Sequence, residues 1–375
     1  MRKSTQSLSR LIGALSLCLL SSAAIAERDT IVIGQAIDLS GPDASIGRDY
    51  VAGIKTCFDM VNSHGGINGR RIQYIVRDDG GQAGLSANAA TDLIERDQAD
   101  YLLGGVGDAT TRAVLALPAF KRSGLVLYAP LTTADFADNP RILFWRPAYQ
   151  QEIRHIFSHF SKLGISNVGI AYQDTAVNQE AYRSLGIAIA ERRMKLGGVA
   201  HFGTHGEPMA QEVAQLAASK PGFILVIADT ISTALFLKEY RKHDARSFVA
   251  GTSLINLDTL RELAGSAAVE WTVFSQVVPN PGAGTSLIQV EHMRMMKKYR
   301  DEAVSSMTLE GFAAAKVLIN AIQQSKRNDR HALQEFVARK GDIDLGGLSA
   351  VVRGNGNRLS NYLDIALFNR NGLAF

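Results

Sequence analysis

Short apolar runs rich in β-branched residues alternate with helical patterns along almost the whole chain, and midway the alternation starts again. "TIVIGQAI" (30–37) leads into an apolar face of Val51, Ile54, Phe58 and Val61, spaced 3, 4 and 3. "RIQYIV" (71–76) precedes a helix around Leu85, Ala89 and Leu93. "YLLGGV" (101–106) precedes a helix from about Thr110, and "LVLYAP" (125–130) follows. Strands that are apolar throughout, instead of at every second residue, are covered on both faces. Strand–helix–strand repetition then implies right-handed crossovers and a parallel sheet.

The second round runs from "NVGIAY" (167–172) through a helix near 179–195, "VAHF" (199–202), a helix near 209–219, "FILVIA" (223–228), a helix near 231–243 and "SFVAG" (247–251). Prolines separate the rounds: Pro147 in "WRPAY", then Pro279 and Pro281 in "SQVVPNPGAG". The chain next turns helical, at about 286–300 and 307–324, and ends in the strand-like "YLDIALFN" (362–369). The pattern predicts an α/β protein of two doubly wound parallel-sheet lobes joined by a multi-strand hinge. Residues 27–146 with about 280–348 form the first lobe, and 147–279 with about 349–375 the second. Ligands of open parallel sheets bind beyond the carboxyl ends of the strands, so facing lobes make a cleft that closes by hinge motion.

The first 26 residues follow other rules. Arg2, Lys3 and Arg10 flank or precede the apolar "LIGALSLCLLSSAAIA", which ends in Ala24-Ile25-Ala26. A basic start, a short apolar middle and an A-x-A end predict a cleaved secretory signal, with the mature chain starting at Glu27 and residing in the periplasm. The chain has 40 Lys and Arg against 36 Asp and Glu. The leader removes three basic residues and no acid, which leaves 37 against 36. No nucleic-acid surface is implied. Of the two cysteines, Cys18 departs with the leader, and Cys57 lies among helical apolar positions as a buried packing thiol.

The stretch "LSGPDASIGRDYVAGIKTCFDMVNSHGGINGRRIQYIVRDD" (39–79) resembles the opening of type I periplasmic solute-binding proteins of the leucine/isoleucine/valine-binding class. The matching features are Ser40-Gly41-Pro42, Gly47, the segment Asn62 to Gly69 and Asp78-Asp79, followed by "VGDATT", "APLTT", "GTSL", "SQVVPNP" and "LEGFAAAKVL". Their order covers essentially the whole mature chain. The resemblance implies a binding protein of an ATP-driven (ABC) importer that captures a small polar organic solute and presents it to an inner-membrane permease. It implies no enzymatic activity, cofactor or metal, and a monomer is expected. The alternative is a periplasmic sensor subunit that reports a solute to a membrane receptor.

In that family the turns corresponding to 108–111 and 130–133 hold the ligand carboxylate through hydroxyls and backbone N–H groups at helix starts, which suit an anion. The resemblance carries Leu131, Thr132 and Thr133 over as ligand contacts. Asp108 stands where the family has a serine; either it caps its helix or it touches the ligand. The covering tyrosine is replaced by Ile46, and the aromatic partners of the second lobe by Val177 and Asp229. The ammonium-binding glutamate aligns near Gly251-Thr252-Ser253, where no acid stands, so Thr252 is the nearest candidate. Asp229 could take an ammonium or cap the next helix, and Tyr149, after the hinge proline, either lines the cleft or packs in the hinge.

Enzyme-like motifs lack their companions. "GGVGDA" follows the third strand and puts Asp108 where a pyrophosphate would sit. "SHGGING" has no G-x-S-x-G to serve. Glu152, His155 and His159 share a helical face at metal-ligand spacing, but without H-E-x-x-H a solvated face is expected. Asp78-Asp79 is expected to cap a strand end.

Overall fold

The computed structural model describes residues 30–375 except 204–208, 326–329, 340, 353–355 and 370–371. The secretory leader expected at 1–26 lies outside the described residues. The first lobe is built from β1 (Thr30–Ile37), α1 (Ala44–Ser63), β2 (Arg71–Asp78), α2 (Ala83–Thr91), β3 (Tyr101–Leu103), α3 (Asp108–Ala116), α4 (Pro118–Ser123), β4 (Leu127–Tyr128) and β5 (Ile142–Leu143). Its strands lie in the order β2-β1-β3-β4-β5, all parallel.

The second lobe holds α5 (Tyr149–Lys162), β6 (Asn167–Gln173), α6 (Ala176–Glu191), β7 (Lys195–Phe202), α7 (Met209–Ala218), β8 (Phe223–Ile227), α8 (Thr230–Tyr240), β9 (Phe248–Gly251), α9 (Leu257–Ala264), α10 (Ser266–Val269) and β10 (Thr272–Gln276). Its parallel part runs β10-β9-β8-β6-β7, the first lobe's order repeated. The second round of the sequence is therefore a second copy of one topology. The helix expected to reach 195 ends at Glu191, because Arg193 turns the chain at φ 52° and β7 begins at Lys195.

The chain then returns to the first lobe as α11 (Leu287–Tyr299), α12 (Ser306–Gln324), α13 (Ala332–Ala338) and the small hairpin β11 (Asp342–Asp344) and β12 (Ser349–Val351). It crosses back as β13 (Asp364–Asn369) and β14 (Gly372–Ala374). Ala350, Val352 and Leu359 belong to the first lobe's core, so the last crossing falls near residue 360 rather than at about 349. β13 pairs antiparallel to β10, because a strand that arrives from the hinge without a crossover helix runs against its neighbour.

Helices cover both faces of each sheet, which is why the central strands read as unbroken apolar runs. In the first lobe Ile33, Leu103, Ile54, Phe58 and Phe312 pack on one side, and Ala36, Leu102, Leu93 and Val114 on the other. In the second, Ile224 and Val226 face α7 and α8, while Leu225 and Ile227 face α5. Cys57 is fully buried in the first core, as expected, and burial pushes its thiol up. α1 and α12 cross at the closest approach that backbone allows: a Cβ on Gly53 would lie 1.9 Å from the Thr308 carbonyl oxygen. No helix among the described residues is long and apolar enough to cross a membrane.

Three straps join the lobes, at about 144–148, 277–281 and 358–362. The first and third are laced together: Phe144 N donates to Asn357 O (2.8 Å), Leu359 N to Phe144 O (3.0 Å) and Ser360 N to Trp145 O (2.8 Å).

Candidate functional site

The turn after β3 explains its own glycines. Gly107 sits at φ +104°, a backbone that side chains disfavour, and turns the chain so that Asp108 is the first residue of α3. Asp108 is thus not the cap of its helix. Its carboxylate reaches across to the turn after β4, where it accepts from Thr133 N (2.8 Å), Thr133 Oγ1 (2.8 Å), Ala134 N (3.1 Å) and the Thr132 hydroxyl. Backbone bonds clamp the two turns together, Gly107 N to Leu131 O and Leu131 N to Gly105 O, both 2.9 Å. The Thr110 and Thr111 hydroxyls donate to Val106 O (2.6 Å) and Gly107 O (2.7 Å), closing the first turn of α3 on itself.

The other strand ends carry acids too. Asp38, fully buried after β1, accepts from Ser40 N (3.2 Å), Gly41 N and Asp43 N (2.9 Å) at the start of α1. Asp229, after β8, caps α8 by accepting from Ser232 N (2.7 Å) and Ser232 Oγ (3.1 Å), and its own N–H donates to Gln173 Oε1 (3.3 Å). Asp43 is different. It is half-buried at the start of α1, and its carboxylate has no hydrogen-bond donor or cation among the described residues. Burial, then the charges of Asp229 and Asp38, pushes its pKa up to about 7. Asp78 and Asp79 hold the end of β2 as expected, accepting from Leu39 N, Gly80 N and Gly81 N at 2.9 Å each.

These turns enclose a cavity of about 350 Å³ in the seam, walled by both lobes. That volume suits a small organic molecule. Of the residues singled out in the sequence, Ile46, Asp108, Leu131, Thr132, Thr133, Val177 and Asp229 line it. Two do not. Tyr149 packs into the second lobe's core with Ile153 and Phe157, and Thr252 is buried behind the wall while Leu254 takes its place. Sequence reasoning missed Asp38, Pro42, Asp43, Gly81, Gln173, Thr175 and Asn178. Strand-end position was the available signal for Asp38 and Gln173, and Asn178 sits one residue after Val177. A second hollow, of about 190 Å³, lies by the hinge between Ile255–Asp258, Asn280–Gly282 and Val304–Met307, with Leu373 and Phe375. Near it, Asn256 Nδ2 on the second lobe donates to Asp49 Oδ2 (3.0 Å) and Ser45 O (3.2 Å) on the first, so the lobes touch across the seam.

Behind the cavity the hinge holds a buried charge cluster. Arg146 Nε and Nη2 donate to the two oxygens of Glu310 (3.0 and 2.8 Å), and Nη1 lies 3.8 Å from Glu152 Oε1. Glu152 also accepts from Ser253 N (2.9 Å) and Ser275 Oγ (2.6 Å). The solvated face expected for Glu152, His155 and His159 is therefore wrong for Glu152, which is 1% exposed. Its partners lie far away in the sequence, and no helical periodicity reports them. Among the described residues no group of three or more His, Cys, Asp or Glu is arranged to hold a metal ion.

A family model described as "Periplasmic binding protein" matches residues 30–372. A Leucine-, isoleucine-, valine-, threonine-, and alanine-binding protein of Pseudomonas aeruginosa is 30% identical over 134 residues, 36% of this chain and 35% of that protein, so the match spans about a third of that relative. A Leu/Ile/Val-binding protein homolog 7 of Brucella melitensis is 22% identical over 88% of this chain and 85% of its own length. The crystal structure of a substrate-binding periplasmic protein from Ralstonia solanacearum superimposes with a TM-score of 0.84 at 27% identity, covering 91% of this chain and 98% of that one.

Proposed function

The chain belongs to the periplasmic binding protein family, and on that footing we propose that it is the solute-capturing component of an ATP-driven importer. It is exported by the leader at 1–26, binds a small polar organic solute between its lobes in the periplasm, and presents the closed form to an inner-membrane permease. It acts as a monomer and returns the solute chemically unchanged.

The observation that carries this reading is the cavity in the seam, whose walls come from strand-end turns of both lobes. A solute there bridges Ile46, Leu131 and Thr133 on one side to Val177 and Asp229 on the other. It thereby favours the closed arrangement by its difference in affinity between closed and open forms. The straps permit such motion while their backbone bonds keep the lobes in register.

A thermal-shift screen of amino acids, amides, amines and short carboxylates tests this reading. A ligand present at 100 times its Kd stabilises the fold by about 2.7 kcal/mol. The binder should come back intact after the protein is unfolded, and small-angle scattering should show a more compact particle at saturation. Consumption of the solute, or an unchanged scattering curve at confirmed saturation, refutes the proposal.

A further inference from the structure

The cavity's hydrogen-bond inventory narrows what it takes, given the reading of the seam as the solute site. A carboxylate ligand needs N–H and O–H donors at helix starts and turns. In three of the turns that line the cavity those donors already hold the protein's own acids. The Thr132–Ala134 turn closes on Asp108, the Ser40–Asp43 turn on Asp38, and the first turn of α8 on Asp229. Asp108 occupies its seat with four donors, two of them backbone N–H groups. A second carboxylate would have to displace it or lie against it, and like charges so placed repel strongly.

The charged groups that face the cavity are all acceptors, alongside the Gln173 and Asn178 amides and the Thr175 hydroxyl of the second lobe. Four aspartates line it, with no Lys, Arg or His among the described lining residues. Asp43 from the first lobe and Asp229 from the second line the same cavity, and the Asp43 carboxylate has no hydrogen-bond donor or cation among the described residues. No aromatic ring is among the described lining residues. A quaternary ammonium would find no aromatic faces, whereas a protonated amine brings N–H donors that suit carboxylate acceptors. Ile46, Val106, Leu131, Val177 and Leu254 supply an apolar wall for an aliphatic body.

We propose that the cleft takes a small aliphatic cation that lacks a carboxylate, its protonated nitrogen set between Asp43 and Asp229, and that Asp108 is the built-in occupant of the carboxylate seat. The protein is thereby turned from amino acids towards amines and their amidine or guanidine relatives.

Calorimetry on the mature protein tests this with matched probes: L-leucine, 3-methylbutylamine and 3-methylbutanamide, then L-arginine and agmatine, with choline as the quaternary control. The amine and agmatine should bind at least about 100-fold more tightly than the parent amino acids, with choline silent. Asp43→Asn should weaken the amine about tenfold or more. Asp108→Ser, which opens the seat, should raise affinity for L-leucine by a similar 100-fold. Wild-type binding of L-leucine or L-arginine as tight as that of the amines overturns the inference and leaves solute capture standing. Binding of 3-methylbutanamide without the amine overturns the cationic assignment. Silence of every probe on both the wild type and Asp108→Ser overturns the reading of the seam as a small-solute site. Far-UV circular dichroism of each variant verifies that it folds.

Discussion

Replacing Arg146 by Met leaves Glu310 and Glu152 buried at the hinge, each about 1% exposed, without their cation. Glu152 keeps Ser253 N and Ser275 Oγ, but Arg146 supplies every hydrogen bond that the Glu310 side chain makes among the described residues. Removing one partner of a buried pair costs about 3–5 kcal/mol, because the remaining charge stays desolvated. The retained donors on Glu152 confine the penalty mainly to Glu310, so about 4 kcal/mol is expected. Urea unfolding measures it, with fluorescence from Trp145 in the first strap and Trp271 in the second lobe as reporters. Both signals should move to lower urea together, since the three charges come from the hinge and both lobes. The double variant Arg146→Met/Glu310→Leu removes the stranded acid and should recover at least about 2 kcal/mol. A loss below about 1 kcal/mol in the single variant, or a double variant no more stable than the single, refutes the claim that this cluster ties the lobes.

Gly53→Ala should destabilise the first lobe by about 2–3 kcal/mol, since its Cβ would meet backbone at Thr308 and only separation of α1 from α12 relieves the clash; wild-type stability in urea contradicts this. Asp43 binds its proton more tightly folded (pKa about 7) than unfolded (ordinary value 3.8), so its contribution is most favourable below pH 3.8 and is lost as pH rises through about 7. Asp43→Asn should therefore be more stable than the wild type in the ligand-free protein at pH 8, by about 2–4 kcal/mol, and not at pH 4; equal gains at both pH values refute it. His292, fully buried in α11, is pushed by burial from 6.5 down to about 4, so its contribution is present above pH 6.5 and is lost as pH falls towards 4. His292→Leu should flatten the fall in stability between pH 6.5 and 4 by about 3 kcal/mol relative to the wild type, as read by urea titrations across that window.

Strand ends and helix faces were legible in the chain because they are local. The apolar run at 223–228 needed only its own residues to declare a strand covered on both sides, and β8 follows it from Phe223 to Ile227. The antiparallel course of β13 was not legible, since direction depends on where the hinge delivers the chain. Glu152 misled for a similar reason: its helix spacing resembled that of a solvated stripe, whereas its fate was set by Arg146, Ser253 and Ser275. Thr252 was placed by alignment to a turn that settles differently here, with Leu254 at the wall, and Tyr149, after the hinge proline, packs into the second lobe's core with Ile153 and Phe157.

The sequence by itself determined two α/β rounds, their crossovers, and the strand-end turns at which acids and hydroxyls gather. It could name Asp108 and Thr133 as neighbours of a ligand but not of each other. Only the tertiary structure decided that Asp108 would sit on the Thr132–Ala134 turn, more than 20 residues along the chain, and that Asp43 and Asp229 would line one cavity from opposite lobes. Periodicity records which face of an element is buried, because burial repeats with the element's own geometry. Which charge meets which donor depends on how separate elements are brought side by side, and no local repeat encodes that.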